Sequence, residues 1–123
     1  MIEKVIEIDG KKVKFRSSAA VTRKYRVMFG RDIFKDMKFL MDAIGAQTNP
    51  DQSNLDNVSL EIFENVSFVM AKQADPENVP DDPDEWLEQF GLFSIYMILP
   101  EIVDLWSLSN AGDSVPVKKE GGR

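Results

Sequence analysis

Cysteine and histidine are both absent from the chain. Without cysteine there is no disulfide and no thiolate nucleophile, and nothing points to an oxidising compartment. Without histidine there is no imidazole base, and the two absences together remove every zinc site built on Cys or His. Glycine is sparse, with 7 residues, and the only adjacent pair is Gly121-Gly122. No G-x-x-x-x-G-K phosphate loop exists. Long apolar runs are missing as well. The longest, "LFSIYMILP" from Leu92 to Pro100, is followed by Glu101 and Asp104. It falls well short of the roughly 20 residues of a membrane span and is expected to be a buried helix. The opening "MIEKVIEIDG" has acids at positions 3, 7 and 9 and is not expected to be a signal peptide. Serine and lysine are present, but no spacing arranges an activating base beside them. The expectation is a protein that is not an enzyme and that uses no cofactor and no metal.

What is present has a globular profile. Hydrophobic residues make up 43% and charged residues 29%, so the 123 residues suit one domain with a single core. The formal charge is -6, but it is unevenly placed. Residues 1–38 carry 11 Lys/Arg against 5 Asp/Glu, and the remainder carries 4 against 16. Such asymmetry suggests an interaction surface, or head-to-tail contact between like subunits.

"VIEIDGKKVKF" places Asp9-Gly10 between two alternating runs, the strongest short-range hairpin signal. A two-residue loop there sets Ile6 against Val13 and Glu7 against Lys12. Ile2, Ile6, Ile8, Val13 and Phe15 then share an apolar face, and a lone ribbon needs that face covered. Ser17 or Ser18 is expected to cap a helix ending at Phe29, with Gly30 as its left-handed stop. Asp32 starts a second helix, whose stripe is Ile33, Met37, Leu40 and Ile44 and whose stop is Gly45. Residues 46–57 read as a polar loop and Val58–Ala74 as a third helix. Asp82, Pro83 and Glu85 fit the N-cap, N1 and N3 positions of a short helix carrying Trp86, Leu87 and Phe90. The last segment, Leu92 to Leu108, is expected to kink or break at Pro100. The predicted fold class is mainly α (α+β). A compact domain of four to five helices follows an N-terminal β-hairpin, with residues 1–16 as the hairpin, 18–108 helical and 109–123 a flexible tail.

"TRKYRVMFGRD" concentrates Arg23, Lys24, Arg26 and Arg31 around Tyr25 and Phe29. A nucleic-acid surface needs a positive field at longer range. Residues 39–117 hold Lys72 alone against 15 acids, so a phosphate backbone would be repelled. An acidic protein partner explains the basic helix better, because arginine pairs carboxylates and stacks on aromatics. The acids of "DDPDE" are expected to cap a helix rather than bind a metal. The stretch from Asp51 departs from a calcium loop at Leu55, Asp56 and Ile62.

The order of "IDGKKVKF", "TRKYRVMFGRD", "DPDEWLEQF" and "LPEIVDLW" resembles the tail assembly chaperones of long-tailed, non-contractile bacteriophages and prophages. The resemblance covers residues 5–108. Its most specific pieces are Tyr25–Asp32 and the Trp86 helix beginning at Pro83. It implies a protein that binds the tape measure protein, keeps it soluble and brings tail tube subunits to it. It also implies work in the host bacterial cytoplasm and departure before the virion matures. Partner binding is expected at Arg23, Tyr25, Arg26, Phe29, Arg31, Trp86 and Phe90, without nucleic acid or membrane. Met28, Met37, Met41, Met70 and Met97 would supply adaptable apolar surface. Self-association is expected through Arg23, Arg26 and Arg31 meeting the acids of Asp81–Glu85 on a neighbour. The competing readings are a small nucleic-acid-binding regulator using residues 23–31 and a structural tail connector.

Overall fold

The computed structural model describes residues 2–45 and 56–114 of the chain. It has five α-helices and a two-stranded antiparallel hairpin, an α+β domain. Strand β1 (Ile2–Ile8) pairs with β2 (Lys11–Ser17). Asp9 and Gly10 both take positive φ, 54° and 78°, as a two-residue type I′ turn requires. The turn fixes the register, with Ile6 opposite Val13 and Glu7 opposite Lys12, as expected. Ile6, Ile8 and Phe15 are buried on one face, and Ile2 and Val13 are half-buried beside them. On the other face Arg16 Nε donates to Glu3 at 2.6 Å across the strands.

Helix α1 (Ala19–Phe29) starts after Ser18, whose backbone is extended but whose side chain makes no capping bond. It stops at Gly30, where φ is 67° and the N–H closes on the Arg26 carbonyl at 2.8 Å. Helix α2 (Ile33–Gly45) begins where the Asp32 carboxylate accepts the Phe34 N–H at 2.8 Å. Its stripe Ile33, Met37 and Leu40 is buried. Helix α3 (Asn57–Ala74) is capped by Asp56, which accepts the Ser59 N–H at 2.9 Å. The run from Val66 to Ala71 is buried without interruption. A helix apolar all round belongs at the centre, and α3 touches β2, α1, α2 and helix α4 (Pro83–Leu87). Asp82 caps α4 by accepting the Asp84 N–H, with Pro83 at the first turn. Trp86 drops into the core, edge-on to Phe15 at 6.3 Å and to Phe68 at 5.9 Å.

Three expectations are corrected in the last third. "LFSIYMILP" is not a buried helix. It forms turns and a single 3₁₀ turn (Tyr96–Ile98), with Ile95 and Ile98 buried and Leu92, Phe93 and Met97 exposed. Pro100 does not kink a helix but sits in the first turn of helix α5 (Leu99–Ser114), where its missing N–H has no helical acceptor to lose. Leu99 is itself helical, with φ -50° and ψ -48°. Helix α5 runs six residues past the expected end at Leu108. Most of the expected 46–57 loop, and the tail from residue 115 onward, lie outside the described residues.

Candidate functional site

Two regions of the surface carry chemistry that the core does not explain. The first is the joint between α1 and α2. Arg31 Nε and Nη2 donate to the Asp36 carboxylate at 2.7 and 2.8 Å, and the Tyr25 hydroxyl donates to the same carboxylate at 2.7 Å. Tyr25 and Asp36 are buried, while the Arg31 side chain is 54% exposed. Burial works to raise the Asp36 pKa. The Arg31 hydrogen bonds, the Tyr25 hydroxyl and the Arg31 charge outweigh it, and the carboxyl is held below its ordinary value. Burial, then the Asp36 partner, pushes the Tyr25 phenol far above its ordinary value. The stretch Tyr25–Asp32 is therefore a joint: Tyr25 and Arg31 grip one carboxylate, Gly30 turns the chain and Asp32 caps the next helix.

Three of the expected contact residues are engaged within the chain. Tyr25 and Trp86 are fully buried core residues and are not available to a partner in this conformation. Arg31 spends its fork on Asp36 within the chain. Asp81, one of the acids expected to receive arginine from a neighbour, already pairs with Lys72 at 2.8 Å. Phe29 and Phe90 are half-buried, each 5.2 Å from its buried aromatic neighbour, Tyr25 and Trp86 respectively. Arg23 and Arg26 are exposed on α1 with Lys24, Val27 and Met28. The α1 group and the Trp86–Phe90 group both rest on α3 through their helices. Met37 and Met70 lie in the core, whereas Met28 and Met97 reach the surface.

The second region lies in the segment expected to be a buried helix. Leu92, Phe93 and Met97 are 77%, 72% and 77% exposed, the most open large apolar side chains among the described residues. They are held out by a pinned backbone. The Asp9 carboxylate, at the hairpin tip, accepts the Gly91 N–H at 2.7 Å and the Ser94 hydroxyl, one on each side of Leu92 and Phe93. The Ser94 hydroxyl first, then the Gly91 N–H, lowers the Asp9 pKa. A side chain at Gly91 would meet Ser94 Oγ at 3.1 Å, so glycine suits this close approach. Lys11 Nζ donates to the Gln89 carbonyl at 3.3 Å. Between Phe93 and Met97 the Tyr96 hydroxyl donates to Glu64 at 2.6 Å, which pushes its pKa up to about 12, and Ile95 and Ile98 anchor in the core on either side of it.

A smaller apolar cleft, about 220 Å³, lies between α2 and α5. Phe34 and Trp106 line it with ring centres 5.3 Å apart, beside Met41 and the Lys38–Asp42 ion pair. Among the described residues no group of three or more acids is placed to hold a metal ion, and no helix is long and apolar enough to cross a membrane.

The chain matches no family model, no curated protein and no solved structure.

Proposed function

We propose that this chain is a phage tail assembly chaperone. It binds the tape measure protein, keeps it soluble and recruits tail tube subunits during tail morphogenesis. It works without catalysis or cofactor in the host cytoplasm and leaves before the virion is complete. The observation that carries the reading is the patch of Leu92, Phe93 and Met97, exposed on a backbone fixed at both ends. A client made of long amphipathic helices needs an apolar surface to cover its own. Leucine, phenylalanine and methionine provide one that adapts to many segments. The resemblance of residues 5–108 to that family supports the same role.

The test is co-expression with the tape measure protein of the same phage. The wild-type chain is expected to hold that protein in the soluble fraction and to co-purify with it. A chain carrying Leu92→Asp, Phe93→Asp and Met97→Asp should fold normally, because these side chains are already in water, and should leave the client in the pellet. Equal solubilisation by both chains would end this reading. Exposed Arg23, Lys24 and Arg26 favour a second reading, a nucleic-acid regulator. It predicts gel shifts on DNA that weaken steeply with salt.

A further inference from the structure

Leu92 and Phe93 stand at the two corners of a β-turn. The Ser94 N–H closes on the Gly91 carbonyl at 3.1 Å, which makes Gly91 and Ser94 the ends of that turn. Gly, Pro, Asn, Asp and Ser dominate turn corners, because they set the backbone or bond to it. Here the corners hold two large apolar side chains that lie mostly in water. The chain is anchored before and after them. Phe90 packs edge-on to Trp86, and Ile95 is buried. Among the described residues, the hydrogen bonds joining the turn to another part of the fold all run to one group, the Asp9 carboxylate. Oδ2 accepts the Gly91 N–H at 2.7 Å and Oδ1 accepts the Ser94 hydroxyl, so one side chain bridges both ends of the turn. Lys11, on the other side of Gly10, holds the Gln89 carbonyl just before it. Bonds to an ionised acceptor are the stronger kind.

Asp9 does not need its carboxylate for the hairpin turn it occupies. Asn-Gly suits a type I′ turn as Asp-Gly does, and both tolerate the observed φ of 54°. An asparagine would present one carbonyl oxygen and one NH₂ to two donors, so at least one bond would be lost. Only the carboxylate accepts from both. We infer that Asp9 is a positioning residue for partner binding, clasping Gly91–Ser94 so that Leu92 and Phe93 stand ready as a two-pronged apolar anchor. The partner is an amphipathic helix, whose identity as the client rests on the chaperone reading. Groups ordered beforehand lose less freedom on binding, which raises affinity without any new contact. By linkage, a helix bound to the prongs tightens the clasp in return.

Fluorescence anisotropy on the full chain tests this with two labelled probes. One is a set of amphipathic segments from the tape measure protein of the same phage, and the other a synthetic amphipathic helix of leucine and glutamine. Asp9→Asn and Ser94→Ala should each bind about tenfold more weakly, the worth of ordering one or two side chains on binding. Ser94→Thr keeps the hydroxyl and should stay within about twofold of the wild type. The double variant Asp9→Asn with Ser94→Ala should lose less than the product of the single losses, because both act through one clasp. Urea midpoints should not follow these affinities, since neither side chain belongs to the core. In the wild type, bound peptide should slow amide exchange at Gly91, a measurement that needs no variant to fold. Folded variants that bind as tightly as the wild type overturn the assignment, and so do affinity losses that merely track lost stability. A wild-type Gly91 amide that exchanges no slower with peptide bound overturns it too. A wild type that binds the leucine–glutamine helix but no tape measure segment ends the chaperone reading and leaves the clasp standing. Binding to neither probe ends both.

Discussion

Asp36→Ala should be among the most damaging single substitutions outside the apolar core. It removes the one acceptor shared by Tyr25 and Arg31. The Tyr25 hydroxyl is fully buried and would be left without a partner, a loss of about 1–3 kcal/mol. Arg31 is half in water and can turn to solvent, so its ion pair adds only about 0.5–1 kcal/mol after screening. The total, roughly 1.5–4 kcal/mol, is a large share of the ~5–15 kcal/mol that holds a domain of this size. Asp36→Asn keeps an acceptor for the phenol and should cost about half as much. Tyr25→Phe removes the donor and leaves the carboxylate paired with Arg31, at a cost of about 1 kcal/mol. Urea unfolding followed by circular dichroism measures all three. The pH dependence follows from the same geometry. The folded-state pKa of Asp36 is depressed, so its contribution is full above the unfolded carboxylate value of about 4. That contribution is lost as pH falls through the folded value. Acid should therefore narrow the gap between wild type and Asp36→Asn. An Asp36→Ala protein within about 0.5 kcal/mol of wild type at neutral pH would refute the shared-acceptor account.

Three further outcomes are expected. Gly30→Ala should cost about 1 kcal/mol in the same urea assay, because φ is 67° there while the space around the new methyl is empty, making the penalty purely one of backbone. Trp86→Ala should cost roughly 3–5 kcal/mol, and Phe90→Ala clearly less because its ring is only half-buried; thermal unfolding of the two variants ranks them. Asp9→Ala should raise the amide exchange rate of Gly91 selectively, since that N–H loses its acceptor, and lowering the pH of the wild type through the depressed Asp9 value should produce the same loss.

The local signals in the sequence were those with a mechanism confined to a few residues. Asp9-Gly10 fixed a turn type and with it a register. Gly30 marked a left-handed stop, and Asp82-Pro83 opened a helix. Each depends on a few neighbouring residues alone. The features that escaped depend on partners far along the chain. Asp36 falls three residues after Ile33 and four before Leu40, inside the apolar stripe, and a charge in that position was the available sign that it is buried and gripped. Tyr25 and Phe29 lie on one helical face, but spacing cannot say whether that face looks inward. The exposure of Leu92, Phe93 and Met97 was hidden because an unbroken apolar run normally means burial. Here Gly91 and Pro100 bracket a segment too irregular to bury all its side chains, and Asp9, 82 residues away, decides which way it lies. Pro100 belongs to the start of the helix after it, a role that the apolar run before it does not reveal.

The bond from Asp9 to Gly91 also sets an order of events during synthesis. The turn and register of the hairpin are set locally, within residues 2–17. Its underside has no cover until α3 emerges, and its tip has no hold until the nineties have been translated. A nascent chain halted before Gly91 would carry a formed ribbon with Ile6, Ile8 and Phe15 incompletely roofed. A piece made late in the chain thus locks the first.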